Sequence, residues 1–422
     1  MHDSNRDWRW LTLFCMARAA FSFIFMSYSA ALPLLREQWA MSPTRAGMIQ
    51  SAWHLGYLVS LFVVGLLGDR FGAKRVYLWS SVVAGVSALV FASFASGFVS
   101  GLVLYGICGL CSGGSYTPGL TLLAENFPPA SRGRAMGFYL ASGSLGYALS
   151  VIFSGMLFPV GGWRLAFLVT GSMPCFGLLL SLWCLRHTPN RVYAGSAVSN
   201  LRYSLTTVVK DKPVLLSMLS YTFHSWELLG LWAWLPAYLA AAAQASGTAG
   251  NAAYAVEYAV ALSGLTYFTS MLGSFIGGIL SDRWGRSASI LLFSCVSLTF
   301  SFTFGWMFGG PLTILFAAAA IYNLVSIADS SIHSTALTEL VKPQNIGAAY
   351  AVRSVLGFGA GAISPMFFGL MIDLGRSGTM GSEYLGWGLA WTCLGLGALP
   401  GPLMSWRLRR RPEARLMAGG LG

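Results

Sequence analysis

Seven ionisable side chains lie inside long apolar stretches of this 422-residue sequence, in which only 9% of the residues are charged. A charge in a segment apolar enough to cross a membrane costs about 2.5–3.5 kcal/mol, so such residues are usually functional. The set contains two arginines, two acids and three histidines: Arg18, His54, His224, Glu227, Asp329, His333 and Arg353. Acids beside histidines can exchange protons, and arginines can bind anions.

Each acid has a histidine on the same face of its predicted helix. His224 precedes Glu227 by three residues and Asp329 precedes His333 by four, spacings that bring helical side chains together. Burial disfavours a charged carboxylate, and an imidazole titrates near neutral pH. We therefore predict that these four residues handle a proton. Glu227 is the favoured carrier, because Trp226 and the Gly-Pro segment that follows make its surroundings drier and more mobile.

Arg18 and Arg353 are the candidate anion-binding groups, since a guanidinium fork fits a carboxylate. The alternative is structural, with each arginine paired to one buried acid and two helices held together. Buried ion pairs are weak evidence for stability, which makes this alternative less attractive. An arginine that is neutralised by an acid of its own chain is not free to bind substrate.

Two aromatic residues, Trp226 and Tyr28, are further candidates for contact with substrate. Trp226 directly precedes Glu227, and the two together would suit a cationic compound. Both rings also suit ordinary packing, as an amphipathic ring does inside a helix. His54 has no acid nearby and is predicted to be a packing residue.

The elements that position these residues are transmembrane helices. Hydrophobic residues make up 55% of the chain and charged residues only 9%. Soluble domains carry about 25% charged residues, so this chain has too few to build a soluble surface. The apolar residues fall in blocks of about 20, enough to span a bilayer. We predict an all-α membrane protein with twelve helices over 10–35, 47–68, 76–96, 98–123, 134–157, 165–186, 213–239, 257–280, 288–308, 311–340, 346–372 and 384–406. The longer loops are 187–212, which is polar and basic, and 240–256.

Charge placement predicts the orientation. With both termini in the cytoplasm, most of the 26 lysines and arginines fall on the cytoplasmic side, and four fall in outer loops: Arg36, Arg45, Arg164 and Arg376. This is the positive-inside pattern. The net charge of +12 therefore indicates contact with membrane lipid, and no nucleic-acid partner is expected.

The chain repeats itself once. Gly65, Asp69, Arg70 and Gly72 match Gly278, Asp282, Arg283 and Gly285 at an offset of 213, and Glu125 and Gly143 match Glu339 and Gly357 at 214. Each match falls at the same place in its half. We predict two pseudo-symmetric six-helix bundles, 1–186 and 213–422, joined by a cytoplasmic linker at 187–212, with a shared path between them.

The run GLLGDRFGAKR at 65–75 and its partial copy GILSDRWGR at 278–286 resemble the signature loop of the major facilitator superfamily. That resemblance covers the whole chain and implies alternating access, with helices 1, 4, 7 and 10 lining the cavity. It departs from the drug-efflux branches, since Tyr105 stands where many have arginine and the segment from Gly143 to Gly146 lacks proline. The resemblance also implies a cytoplasmic gate in which Arg70 pairs with Glu125, Arg283 pairs with Glu339, and Asp69 faces the start of helix 11. The predicted gate residues are Gly65, Asp69, Arg70, Gly72, Arg75, Glu125, Gly278, Asp282, Arg283, Gly285 and Glu339.

These features together favour a secondary active transporter in a cell inner membrane. No phosphate-binding G-x-x-x-x-G-K-[ST] run is present, so the energy must come from a gradient. The favoured function is proton-coupled transport of a small organic anion, a carboxylate. Proton-coupled efflux of an amphipathic or cationic compound is the alternative, and a membrane-embedded enzyme is a distant one. We expect no cofactor, no metal and a monomer.

Overall fold

The structure is a computed structural model, which describes residues 4–127, 129–192, 201–247, 252–342 and 345–422. It contains the twelve helices that the sequence predicts. In chain order they are helix 1 at Ser4–Gln38, helix 2 at Pro43–Phe71, helix 3 at Ala73–Phe94, helix 4 at Phe98–Cys111 and Thr117–Asn126, helices 5 and 6 within Pro129–Cys184, helix 7 at Lys212–Ala245, helix 8 at Ala252–Thr266 and Phe268–Trp284, helix 9 at Arg286–Thr303, helix 10 at Leu312–Ala328 and Ser330–Leu340, helix 11 at Ile346–Arg376, and helix 12 at Glu383–Ala398 and Pro400–Arg409.

Ten segments of the described chain are long and apolar enough to cross a membrane. One of them, Ala135–Cys184, holds both helix 5 and helix 6, because the chain reverses direction at Gly161 and Gly162, whose backbone angles are not helical. Helix 12 falls outside these ten. The count of twelve therefore follows from the path of the chain as well as from hydropathy.

The predicted loop at 240–256 is wrong in extent. Helix 7 continues to Ala245, and helix 8 begins at Ala252. The alanine-rich sequence between Leu239 and Ala245 continues the helix, because alanine has the highest helix propensity. A short amphipathic helix, Leu201–Lys210, lies in the predicted linker and buries Val208 in the same apolar cluster as Val214 of helix 7.

Two of the helices are broken at matching places in the repeat. Helix 4 is interrupted by the 3-10 turn Gly113–Ser115, and helix 10 is interrupted at Asp329. Ser115 and Asp329 are 214 residues apart, the offset that relates the two halves in this region. Helix breaks expose backbone and re-aim side chains, which is how transporter helices often build binding sites.

Helix pairs 1 and 7, 2 and 11, and 5 and 8 join the two halves. We call the side of the bundle where helix 1 begins the terminal face, and the opposite side the far face. Close glycine contacts lie near the far face, where Gly47 meets Pro365 and Gly155 meets Ala261. Small residues at such positions let helix backbones approach closely.

Polar and aromatic contacts extend this closure of the far face. Thr44 donates hydrogen bonds from its backbone N–H (2.9 Å) and from its hydroxyl (2.5 Å) to Asp373, which joins helix 2 to helix 11. The Ser29 hydroxyl donates to the carbonyl oxygens of Trp232 and Ala233 in helix 7. The halves are therefore held together by packing and by hydrogen bonds at the end of the bundle remote from the chain's first helical residue.

Candidate functional site

Arg18 is buried in helix 1 with 6% of its surface exposed. Its Nη1 donates a hydrogen bond to the Ser115 hydroxyl at the break in helix 4. Its guanidinium lies 5.6 Å from the centre of the Tyr139 ring, and the Tyr139 hydroxyl donates to the Ser115 carbonyl oxygen at 2.5 Å. Nε is buried without a partner, and Gly143 faces this edge, where a Cβ would lie 3.6 Å from both Nε and Nη2.

Arg353 has the same kind of surroundings in the second half. It is 5% exposed, and its Nη1 donates to the Ser334 hydroxyl at 2.9 Å. Its guanidinium lies 3.9 Å from the Tyr221 ring centre and 5.0 Å from that of Tyr350. The Tyr350 hydroxyl donates to the Ser334 carbonyl oxygen at 3.1 Å, and Nε is again buried without a partner.

Neither arginine pairs with a carboxylate in the described part of the chain, and Nε of each is buried without a hydrogen-bond partner there. The structural alternative of two internal ion pairs is therefore not what the structure shows. The two acids are held elsewhere by other groups, because they lie on faces of helices 7 and 10 that meet each other and helix 9. No carboxylate of the described chain therefore neutralises either guanidinium group inside the bundle.

Asp329 lies between two histidines. His224 Nδ1 is 3.0 Å from Asp329 Oδ1, and His333 Nε2 is 3.6 Å from Oδ2. These are ion-pair distances, and Asp329 Oδ1 and both His333 nitrogens are buried without a hydrogen-bond partner among the described residues. The three ligand atoms lie within 4.8 Å of one another, a spacing that a metal ion could also bridge. The expectation of no metal stays a prediction.

Glu227 is held by hydroxyl groups. Its Oε1 accepts from Ser297 at 2.6 Å and from Ser301 at 2.7 Å, both on helix 9, and lies 3.0 Å from the hydroxyl of Tyr322 on helix 10. One small cavity is lined by Glu227, Asp329 and the two histidines His224 and His333. It has room for roughly one water molecule. The two acids thus share a polar path across helices 7, 9 and 10.

Tyr221 lies between this polar path and Arg353. Its ring centre is 5.7 Å from each of the His224 and His333 rings, and its face lies against the Arg353 guanidinium. Sequence reasoning missed Tyr221, Tyr139 and the serines around Glu227, because isolated tyrosines and serines are common in apolar helices. The repeat offered one signal for Tyr139: it stands 214 residues before Arg353, so the two occupy equivalent positions in the two halves.

The other aromatic candidates are placed in packing positions. Trp226 lies against Phe367 of helix 11 and against Gly397 of helix 12, where a Cβ would overlap the indole nitrogen. Tyr28 is fully buried, and its hydroxyl donates to the Ala46 carbonyl oxygen. The structure shows no described contact between either ring and Arg18 or Arg353. His54 is also buried.

The predicted gate residues form different pairs from those expected. Arg70 is exposed over the Phe71 ring, and Glu125 Oε1 is buried without a partner among the described residues. Asp69 is exposed and makes no described contact with helix 11. With the halves closed at the far face, the first gate motif therefore makes none of its expected contacts within the described chain.

In the second half Arg286, rather than Arg283, binds Glu339. The Arg286 Nη2 lies 3.0 Å from Glu339 Oε1, and Nη1 also bonds Asp282. Arg286 directly follows the turn at Gly285 and points into the bundle, whereas Arg283 is exposed. Glu339 also accepts the backbone N–H of Ala418 at 3.0 Å. The gate partner was therefore predicted three residues too early.

The gate glycines have two kinds of surroundings. Gly72 and Gly285 adopt φ of 85° and 92°, a region that favours glycine, so both loops need glycine to turn. A Cβ added at Gly65 or at Gly278 would meet nothing within 4 Å, so no helix packs against these two positions in this arrangement. Arg75 donates its backbone N–H to Asn190 at 3.3 Å.

The sequence profile of the Major Facilitator Superfamily matches residues 14–365. The chain belongs to this family. Its fold also resembles that of a bacterial homolog of the human lysosomal transporter Spinster, with a TM-score of 0.75 at 16% identity over 97% of this chain and 98% of the other. Membership makes the chain a multi-pass membrane transporter and not an enzyme.

Two curated relatives are named as transporters of organic anions, one of them as a probable transporter. A protein of Cupriavidus necator described as a probable sulfoacetate transporter is 28% identical over 89% of this chain and 88% of its own length. The hexuronate transporter of Bacillus subtilis is 24% identical over 85% of each chain. These relatives, together with the buried arginines, support the assignment of a small-molecule solute transporter.

Proposed function

We propose that this chain carries a small organic anion across a bacterial inner membrane by alternating access, driven by protons. The observation that supports an anionic substrate is the pair of buried guanidinium groups, Arg18 and Arg353, which have no described carboxylate partner. A buried charge without a counter-ion is strongly disfavoured, so a substrate that supplies the counter-charge gains binding energy there. Relatives named for sulfoacetate and hexuronate agree with this substrate class.

Proton coupling rests on the separate cluster in the second half. Glu227 and Asp329 share one small cavity with two histidines, which supplies sites where a proton can be held and passed on. Tyr221 packs between this cluster and Arg353. A change of charge in the cluster is therefore one ring away from the arginine, so substrate binding and proton binding can influence each other.

The orientation we propose places the terminal face in the cytoplasm, as the distribution of lysine and arginine indicates. The far-face contacts at Gly47, Thr44 and Ser29 then close the outer side, and the anion site is reached from the cytoplasm. The gate pair Arg70 and Glu125 would form when the halves rock the other way. This agrees with the exposed position of Arg70 in the closed-outside arrangement.

Uptake into proteoliposomes tests the coupling. Radiolabelled sulfoacetate and glucuronate are offered with and without an imposed pH gradient. Glu227→Gln and Asp329→Asn should each abolish gradient-driven accumulation. Glu227→Gln should still exchange internal for external substrate. Glu37→Gln, at an exposed position outside the cluster, is the matched control. Full pH-driven uptake in both buried variants would exclude proton carriage by these acids, and a sodium-driven or uncoupled carrier would then move ahead.

A further inference from the structure

The two buried arginines are built alike, although they lie in different halves. In each, Nη1 is fixed by a serine hydroxyl at a neighbouring helix, a tyrosine ring lies against the guanidinium, and a tyrosine hydroxyl holds the carbonyl of that same serine. On the edge formed by Nε and Nη2, Nε is buried without a partner among the described residues in both cases. This edge is the fork that binds a carboxylate or sulfonate through two parallel hydrogen bonds.

The repeat accounts for part of the likeness, because Tyr139 and Arg353 are equivalent positions, whereas the repeat mate of Ser115 is Asp329 and not Ser334. In the first half the arginine lies on helix 1 and stacks on Tyr139 of helix 5. In the second half the tyrosine Tyr221 lies on helix 7, and Arg353 lies on helix 11 at the position equivalent to Tyr139. Gly143 and its repeat mate Gly357 lie beside the two pairs, against Arg18 and Tyr221 respectively. Each half therefore carries one complete guanidinium fork.

Both forks have surroundings where the two halves meet. Arg18 bonds Ser115, which directly precedes Tyr116 at the break in helix 4. Tyr57 of helix 2 packs on Phe358 of helix 11, with ring centres 5.2 Å apart. Gly357, next to Phe358, lies against Tyr221, whose ring face contacts the Arg353 guanidinium. These contacts connect the surroundings of the second fork to the first half.

We propose that the substrate is a dianion with an anionic group at each end, one bound by Arg18 and the other by Arg353. Two uncompensated positive charges in a poorly solvated space repel each other, and a monoanion neutralises only one of them. A dianion neutralises both arginine charges and binds one group in each half of the transporter. This inference rests on the proposed anion transport and specifies its substrate class.

Matched pairs of ligands that differ in one charge test the proposal. The pairs are sulfoacetate with isethionate, glucarate with gluconate, and succinate with 4-hydroxybutyrate, in each of which one carboxylate is replaced by a hydroxymethyl group. Binding to the purified full chain is measured by calorimetry and by thermal shift, since a ligand that binds the folded state raises its apparent stability. At least one dianion should bind about 10- to 150-fold more tightly than its partner, the range for charge-assisted hydrogen bonds.

Arginine variants show whether both forks are needed. Arg18→Gln and Arg353→Gln should each reduce dianion affinity by a similar factor and abolish the preference over the monoanion, while Arg409→Gln at the surface should leave both unchanged. Arg18→Lys and Arg353→Lys keep the positive charge but cannot form two parallel hydrogen bonds. These variants should fold and still lose dianion affinity, which separates a loss of binding from misfolding.

The outcomes separate this inference from the proposed function. If a monoanion binds as tightly as its dianion, or if one arginine variant keeps the dianion preference, the dianion proposal is overturned while anion transport stands. If no member of the panel binds or is transported by folded wild-type protein, both proposals fall.

Discussion

Replacing Gly47 by alanine should shift the transporter away from the arrangement described here. In this arrangement a Cβ on Gly47 would lie 2.8 Å from the Pro365 carbonyl carbon and 2.9 Å from Met366 Cα. Both are backbone atoms of helix 11 and cannot turn aside as a flexible side chain can. The clash disappears when helices 2 and 11 separate at the far face, so the variant should favour the state that is open there.

The size of the shift follows from the cost of overpacking, about 1–3 kcal/mol for an added methyl group in a close-packed site. Since about 1.4 kcal/mol is a factor of ten, the ratio of far-open to far-closed molecules should rise roughly 5- to 150-fold. Alanine also raises helix propensity by about 1 kcal/mol. That gain is equal in both arrangements, because helix 2 stays helical in each, and it cancels from the ratio.

Labelling of a reporter cysteine measures this ratio. Ser29→Cys, in a background without the seven native cysteines, lies at a position that is 1% exposed between helices 1 and 7. Its reaction rate with a membrane-impermeant maleimide reports opening of the far face. Gly359→Ala, on helix 11 with nothing within 4 Å, is the matched control. Equal labelling rates in Gly47→Ala and Gly359→Ala would show that the Gly47 contact does not control opening.

Three further predictions concern the gate and the topology. Arg286→Gln should lower thermal stability more than Arg283→Gln in a melting experiment, because Arg286 binds both Glu339 and Asp282. The bond to half-buried Glu339 is worth about 1.5–3 kcal/mol, and the pair with exposed Asp282 adds about 0.2–1 kcal/mol. Equal melting points would contradict this. Asp69→Asn should reduce the rate of transport at normal expression, and full activity would remove the gate role assigned to Asp69. A reporter fused after Gly422 should be cytoplasmic and one inserted at Gly247 external, and the reverse at both places would overturn the proposed orientation.

Much of the candidate site was predictable from the sequence, because buried ionisable residues are rare and expensive. Arg18, Arg353, Glu227 and Asp329 stand out by type alone in a chain with so few charges. Helical spacing also predicted that His333 would lie near Asp329, and their side chains are 3.6 Å apart. The roles of these residues in substrate binding and proton coupling remain predictions.

Partners from other helices were not predictable, since helical spacing carries no information on which faces meet. His224 lines the same small cavity as Glu227, its neighbour on helix 7, but its 3.0 Å contact with Asp329 of helix 10 could not be predicted from spacing. Glu227 instead bonds serines on helix 9. The choice between Arg283 and Arg286 for Glu339 had the same limit, because the turn at Gly285 decides which arginine points inward.

The sequence by itself determined the twelve helices, the two related halves and the residues that carry charge into the membrane. Hydropathy, glycine turns and repeated motifs are local properties, so they can be read without knowing how the helices pack. The tertiary structure alone decided that both arginines lack a carboxylate partner among the described residues, that Asp329 lies between two histidines, and that Glu227 accepts hydrogen bonds from hydroxyl groups. Those pairings depend on the rotation and depth of helices far apart in the chain, which only their packing fixes.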